Sequence, residues 1–89
     1  MSEEFNALVI HPKDNTAVVL KALSAGDEIR CEGLSLRAAE DIPRSHKAAI
    51  RKIGKGELVL RYGEPIGFAR SDIDAGQWIH THNIESEGL

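Results

Sequence analysis

Two histidines separated by one residue, in His80-Thr81-His82-Asn83, form the part of this sequence best equipped for chemistry. In an extended strand, residues two apart point to the same face, so His80 and His82 are expected to project side by side with Thr81 opposite. Two imidazoles held that way can share a metal ion, an anionic substrate or a proton. His-x-His is short and common beside a full metal signature, and a surface strand that happens to carry two histidines has the same spelling. Residues 62–83 also hold Gly63, Pro65, Gly67, Gly76 and the only tryptophan, Trp78, so turns and a large ring surround the pair.

The composition limits what those residues can belong to. Eighty-nine residues make one domain, 1–89, that buries roughly 60% of its unfolded surface. The aromatics are Phe5, Tyr62, Phe68 and Trp78 alone, so the core must rest on Val, Ile, Leu and Ala. That favours a small β domain associated with another chain over a free-standing catalyst. The net charge of -3 argues against nucleic acid, which needs a concentrated basic surface, and Lys47, Arg51, Lys52 and Lys55 read as a solvated cluster. Cys31 is single and forms no internal disulfide, which suits a reducing compartment and a half-buried thiol. No apolar run reaches membrane-spanning length, so a soluble cytoplasmic protein is expected.

Short strands must position the site. Residues 5–10 and 16–20 are rich in strand formers and are separated by the turn His11-Pro12-Lys13-Asp14-Asn15. Residues 28–31 and 34–38 predict a hairpin broken at Gly33. Ile42 precedes proline and is expected to be extended, while residues 48–53 fit a strand or a short helix. Further strands are expected at 58–61, 66–70 and 78–82. Residues 1–4 should be frayed, and the polar tail after Ile84 reads as a loose end or a docking segment.

One pattern recurs three times: an aliphatic residue, a glycine three positions on, and a second aliphatic three beyond that. Leu23-Gly26-Ile29, Ile53-Gly56-Val59 and Ile73-Gly76-Ile79 carry it. Each copy can bury its first aliphatic, turn at the glycine where positive φ meets no Cβ, and launch a strand. The spacing is too irregular for a solenoid and suits strands that cross over at glycine corners.

The order of Asp14-Asn15, Ile42-Pro43, His46-Lys47, Lys55-Gly56-Glu57, Tyr62-Gly63, Ile66-Gly67, Asp72-Ile73 and His80-Thr81-His82-Asn83 resembles the SAF domain of altronate and galactarate dehydratases. The resemblance covers about residues 8–84 and implies a mainly-β, small β-clip fold of folded-over hairpins with little helix. It also implies an accessory domain or small subunit whose large catalytic partner chain supplies most of the active site. Such enzymes act on sugar acids and depend on a divalent metal, usually Fe(2+). Because the chain stops at Leu89, the remainder is expected on a separate subunit, or the chain is an excised domain. Homo-oligomerisation is also compatible with its several open strand edges. Three positions depart from the family: Ser45 stands for glycine, Ala49 for a larger apolar residue and Arg61 for lysine. Serine tolerates positive φ poorly, so the loop carrying His46 is expected to sit differently here.

On this resemblance His80, His82 and His46 are the catalytic candidates, with His80 and His82 also candidate metal ligands. Lys47 and Asn83 are candidate substrate contacts, although Asn83 equally suits fixing a turn or orienting a histidine through its amide. Tyr62 and Trp78 read as packing, Asp72 and Asp74 as turn caps, and His11 as a turn residue without chemistry. Two rivals stand beside the dehydratase reading. One is the small subunit of a (2R)-sulfolactate sulfo-lyase; the other is a non-enzymatic SAF module for binding or assembly.

Overall fold

Aliphatic residues alternating with polar ones between closely spaced turn residues leave room for strands and not for helices. In the computed structural model, which describes residues 5–87, these are β1 (Ala7–Leu8), β2 (Thr16–Val19), β3 (Glu28–Cys31), β4 (Leu34–Arg37), β5 (Lys47–Ala49), β6 (Leu58–Arg61), β7 (Glu64–Ala69), β8 (Trp78–Ile79) and β9 (Ile84–Glu85). No helix occurs among the described residues, which is the folded-hairpin architecture expected of a β-clip. Accordingly none of them forms a helix long and apolar enough to cross a membrane. Strands β1, β2, β5 and β8 make one antiparallel sheet in that order; β3 and β4 form a hairpin, and β6, β7 and β9 a third sheet. The expectation of fraying at residues 1–4 falls outside the described residues.

Three expectations need correction. Residues 5–10 do not form one strand: Asn6 turns its amide to β3, donating Nδ2 to the Glu28 carbonyl and accepting the Arg30 N–H at Oδ1. Residues 48–53 are neither a full strand nor a helix, because pairing ends at Ala49 and Ile53 bridges to Ile73 instead. The strand expected over 78–82 stops at Ile79, and residues 80–83 turn back so that Ile84–Glu85 can pair with β7. The segment after Ile84 therefore begins as a paired strand.

The glycine corners form as the pattern requires. Gly26, Gly56 and Gly76 have φ of 91°, 86° and 89°. Their leading aliphatics Leu23, Ile53 and Ile73 are buried, and so are the closing residues Ile29, Val59 and Ile79. A fourth corner escapes the glycine pattern. Ile42, Ser45 and Ala48 occupy the equivalent places, and Ser45 adopts φ 70° despite its Cβ. The loop before His46 is thus held in the same conformation as its glycine counterparts, contrary to expectation. All four corners hydrogen-bond alike. Gly26, Ser45, Gly56 and Gly76 donate N–H to the carbonyls of Ala38, Val19, Ala69 and Ala49 at 2.7–2.9 Å. Those four acceptor residues donate back to the carbonyls of Asp27, His46, Glu57 and Gln77.

These equivalences reveal an internal duplication. Leu23 and Ile42 exchange backbone hydrogen bonds, and Ile53 and Ile73 do the same. Asn6 clamps Glu28 and Arg30 of β3, while Asn15 donates to the Leu58 carbonyl and accepts from Leu60 N–H on β6. Each half closes over its own core, one around Val19, Leu23, Ile29 and Ile42, the other around Ile53, Val59, Ile73 and Ile79. The central sheet divides the two, with Ala17 and Ala48 in the first core and Ala49 and Ile79 in the second. Complete burial of an aliphatic side chain contributes about 1.5–3 kcal/mol, so these residues fix the corners that carry the site.

Candidate functional site

The corners follow a capping rule that explains where the rings come from. In three of them, the side chain just after the left-handed residue accepts the N–H three residues earlier: Asp27 from Ser24, Glu57 from Gly54 and Gln77 from Asp74. At the Ser45 corner the residue in that place is His46, and three residues earlier stands Pro43, which has no N–H to offer. The imidazole is free of capping duty. It turns to Trp78, whose indole N–H donates to His46 Nδ1 at 3.0 Å.

The register brings the other rings in. β5 and β8 pair Ala48 with Trp78 and Lys47 with Ile79, so the Ser45 and Gly76 corners lie side by side. Gly76 is required here twice over: its φ is positive, and a Cβ would run into the Arg37 carbonyl oxygen. Around Trp78, His80 stacks nearly parallel at 5.4 Å and 9° between planes, and His82 lies tilted at 5.1 Å. His46 is 4.9 Å from His80 and 5.6 Å from Trp78, centroid to centroid. His46, Trp78 and His80 are half-buried and His82 is exposed.

His80 and His82 thus come together on the indole, and not by strand alternation. Asn83 makes the turn that does it. Its Oδ1 accepts the His80 N–H at 3.0 Å, its Nδ2 donates to the Trp78 carbonyl at 2.8 Å, and its own N–H donates to the His80 carbonyl. Asn83 is buried with both ends of its amide engaged, the turn-fixing role open to it from sequence.

The bonding assigns the histidines different chemistry. Indole N–H can only donate, so His46 Nδ1 must accept, and the proton of the neutral ring sits on Nε2. His46 in this state has one N–H, at Nε2, to donate. Neither ring of His80 or His82 has a hydrogen-bonded nitrogen among the described residues, so both can accept a proton or ligate. Glu40, which sequence reasoning passed over, accepts the backbone N–H of Trp78 at Oε2, 3.0 Å away. No group of three His, Cys, Asp or Glu side chains suited to a metal exists among the described residues. The donor set of the described residues does not fit a complete Fe(2+) site.

Lys47 stands apart. It lies one residue off the Ala48–Trp78 pair, so its side chain leaves the opposite face of the sheet. Its ammonium is half-buried, and its pKa is lowered by burial first and by the charge of Arg61 second. His46 and Lys47, adjacent in sequence, therefore do not serve one pocket. Of the remaining residues, Asp72 caps Lys55 N–H as expected of a turn residue. His11 accepts Lys13 N–H and packs against Gly63. Cys31 is buried, which raises its thiol pKa and keeps it unreactive. Asp14 seats the β6–β7 turn, accepting N–H groups from His11, Tyr62 and Gly63.

Comparison with known proteins agrees with the motif order. The family profile of the altronate/galactarate dehydratase SAF domain matches residues 5–87. The chain is 43% identical over 77 residues to the altronate dehydratase of Escherichia coli (strain K12), covering 86% of this chain and 16% of that protein. It is 36% identical over 77 residues to the altronate dehydratase of Bacillus subtilis (strain 168), with the same coverages. It is also 29% identical over 87 residues to the (2R)-sulfolactate sulfo-lyase subunit alpha of Chromohalobacter salexigens, covering 89% of this chain and 93% of that one. The chain thus spans about a sixth of the length of the altronate dehydratases it matches.

Proposed function

The chain belongs to the altronate/galactarate dehydratase SAF domain family, and on that premise we propose that it is the SAF component of a sugar-acid dehydratase, presenting His80 and His82 to an active site that a large catalytic partner mostly supplies. The observation that carries this reading is the ring cluster on Trp78, where two imidazoles with unbonded nitrogens, His80 half-buried and His82 exposed, pack against the indole. Dehydration removes the proton α to a carboxylate and expels the β-hydroxyl as water; the enol formed tautomerises to a 2-keto-3-deoxy acid. His80 or His82 takes or returns a proton, and the Nε2–H of His46 donates a hydrogen bond to developing negative charge. A divalent metal, Fe(2+) in the resemblance, would be held by the partner chain with His80 and His82 as supplementary donors.

Docking has a surface of its own. β1 is an outer strand of the central sheet, and Phe5, Leu8 and Ile10 beside it are exposed at 43–49%. An open edge lined by large apolar side chains favours burial against another polypeptide. A second reading is favoured by coverage: the sulfo-lyase subunit alpha is matched over nearly its whole length. There the same site would serve expulsion of sulfite in place of water. Mixing the chain with its candidate large partner and Fe(2+), then screening aldonates, aldarates and sulfolactate, separates these readings. A keto acid from a sugar acid supports the dehydratase, sulfite release supports the rival, and turnover by the large chain alone at the full rate would overturn both.

A further inference from the structure

The duplication shows what one edge of the central sheet lacks. β1 follows the clamp residue Asn6 as β2 follows Asn15, so the two strands are counterparts. They pair with each other, antiparallel, with Ala7 facing Val19 and Leu8 facing Val18. β2 has a neighbour on each side, β1 and β5, whereas β1 is an outer strand with β2 alone beside it in the sheet. The opposite outer strand is β8, which carries Trp78 and leads into the histidine turn. At the usual spacing of neighbouring strands, this edge lies roughly 14 Å from the one that bears the rings.

The open side of β1 has what a further strand would need. Leu20 N–H donates to the Asn6 carbonyl at 2.8 Å, so Asn6 and Leu8 turn their backbone carbonyls to β2. By alternation the backbone groups of Val9 point away from β2, and neither Val9 nor Ile10 makes a backbone hydrogen bond among the described residues. The side chains alternate as well. Ala7 is buried and Val9 is half-buried against the first core, while Leu8 and Ile10 are exposed. Beside them runs a groove of about 310 Å³ whose lining includes Phe5, Leu8, Val9, Ile10, Pro12 and Glu32. An unpaired edge flanked by large apolar side chains in water favours association.

We propose that a second copy of this chain occupies that edge, the two β1 strands pairing antiparallel about a two-fold axis at Val9. The molecule itself indicates the occupant: β1 and β2 are two strands of one kind already paired antiparallel, and a second β1 repeats that arrangement on the free side. With Val9 on the axis, each Val9 N–H donates to the Val9 carbonyl of the other copy, and Leu8 of each copy stands opposite Ile10 of the other. The exposed apolar residues of the strand thereby cover one another. The two central sheets join into one, and the ring clusters lie at its two far ends, open to the large chain. The contact is small, so the dimer is a weak, concentration-dependent one. Self-pairing at β1 uses neither the imidazoles nor turnover, and it stands or falls apart from the dehydratase reading.

The test is sedimentation equilibrium of the full 89-residue chain from micromolar to millimolar concentration. A reversible monomer–dimer equilibrium is expected, with a Kd on the order of 100 µM. The double variant Leu8→Lys/Ile10→Lys should weaken it about tenfold or more, because like charges then meet across the axis. Leu58→Lys, an exposed apolar residue of β6, should leave it unchanged. Amide spectra unchanged away from the substituted positions show that the variants fold. A second readout needs no variant: exchange of the wild-type Val9 amide with water, followed by NMR, should slow as the concentration rises. A chain that stays monomeric up to about 1 mM, a dimer that survives the double substitution, or Val9 exchange independent of concentration would each overturn the proposal. So would a monomeric wild-type chain whose double variant no longer binds the large partner, since that partner would then be the occupant of the edge.

Discussion

The corners at Gly26 and Gly56 and those at Ser45 and Gly76 share one backbone path, one hydrogen-bond scheme and one pattern of burial. They differ in what the side chains after the turn are asked to do. At the first pair, Asp27 and Glu57 fold back on their own loops, and Asp41 and Asp72 cap Ala25 and Lys55 from across the bridge. At the second pair, Gln77 folds back in the same way to cap the Asp74 N–H, but Pro43 removes the N–H that His46 would cap, and His46 is left to meet Trp78. A single imino acid thus converts a structural corner into one that can display chemistry. The pairing of β5 with β8 then sets both displaying corners together.

Glycine substitutions test the comparison with the largest effect. Gly76→Ala should destabilise by about 3–5 kcal/mol, because strain at positive φ adds to a collision with the Arg37 carbonyl. Gly26→Ala, with open space around its Cβ, should cost only about 1 kcal/mol. Urea unfolding of both variants measures the gap, and equal losses would break the claim that Gly76, unlike Gly26, is required for a close contact as well as for its φ. Next in size are the two clamps. Asn15→Ala and Asn6→Ala each leave a strand N–H and a carbonyl without partners, and each should cost about 2–3 kcal/mol. Losses that differ by more than about 2 kcal/mol would argue against equivalent halves.

Smaller effects sharpen the contrast. Ser45→Gly should stabilise by about 0.5–1 kcal/mol, since glycine relieves the left-handed strain at φ 70° that the other three corners avoid. A lower melting temperature would contradict the assignment of Ser45 as a strained equivalent of glycine. Smallest is the pH dependence at Lys47. Its folded pKa lies below the ordinary 10.5, so between those values the unfolded chain binds more protons and stability rises with pH. Wild type should therefore gain stability relative to Lys47→Gln as pH climbs through that window, read by denaturation at pH 7 and at about pH 10. A gap that does not move would remove burial and Arg61 as causes.

Much of the fold could be read from residue order. Three glycine corners, the hairpin around Gly33 and the scarcity of helix follow from strand formers set between residues that accept positive φ. The fourth corner was hidden because serine carries a Cβ, and its φ is imposed by Val19 and Ile42 rather than chosen locally. The histidine pair was found, but for the wrong geometric reason: Asn83 closes a turn where alternation predicts a strand, and stacking on Trp78 gathers the rings. Glu40 gave no local signal, and Arg61 stood out only as a departure from the family's lysine. Their roles come from pairings between distant strands, although aligning residues 23–49 with 53–80 exposes Pro43 and Arg61 as the places where the halves diverge.

The two open imidazoles carry the proposed reaction. With the complex reassembled from the chain and its large partner, turnover of the His80→Ala/His82→Ala variant should fall about a hundredfold or more, while size-exclusion chromatography shows unchanged assembly. Turnover within about threefold of wild type, at equal assembly, would contradict the claim that this chain brings those rings to the reaction.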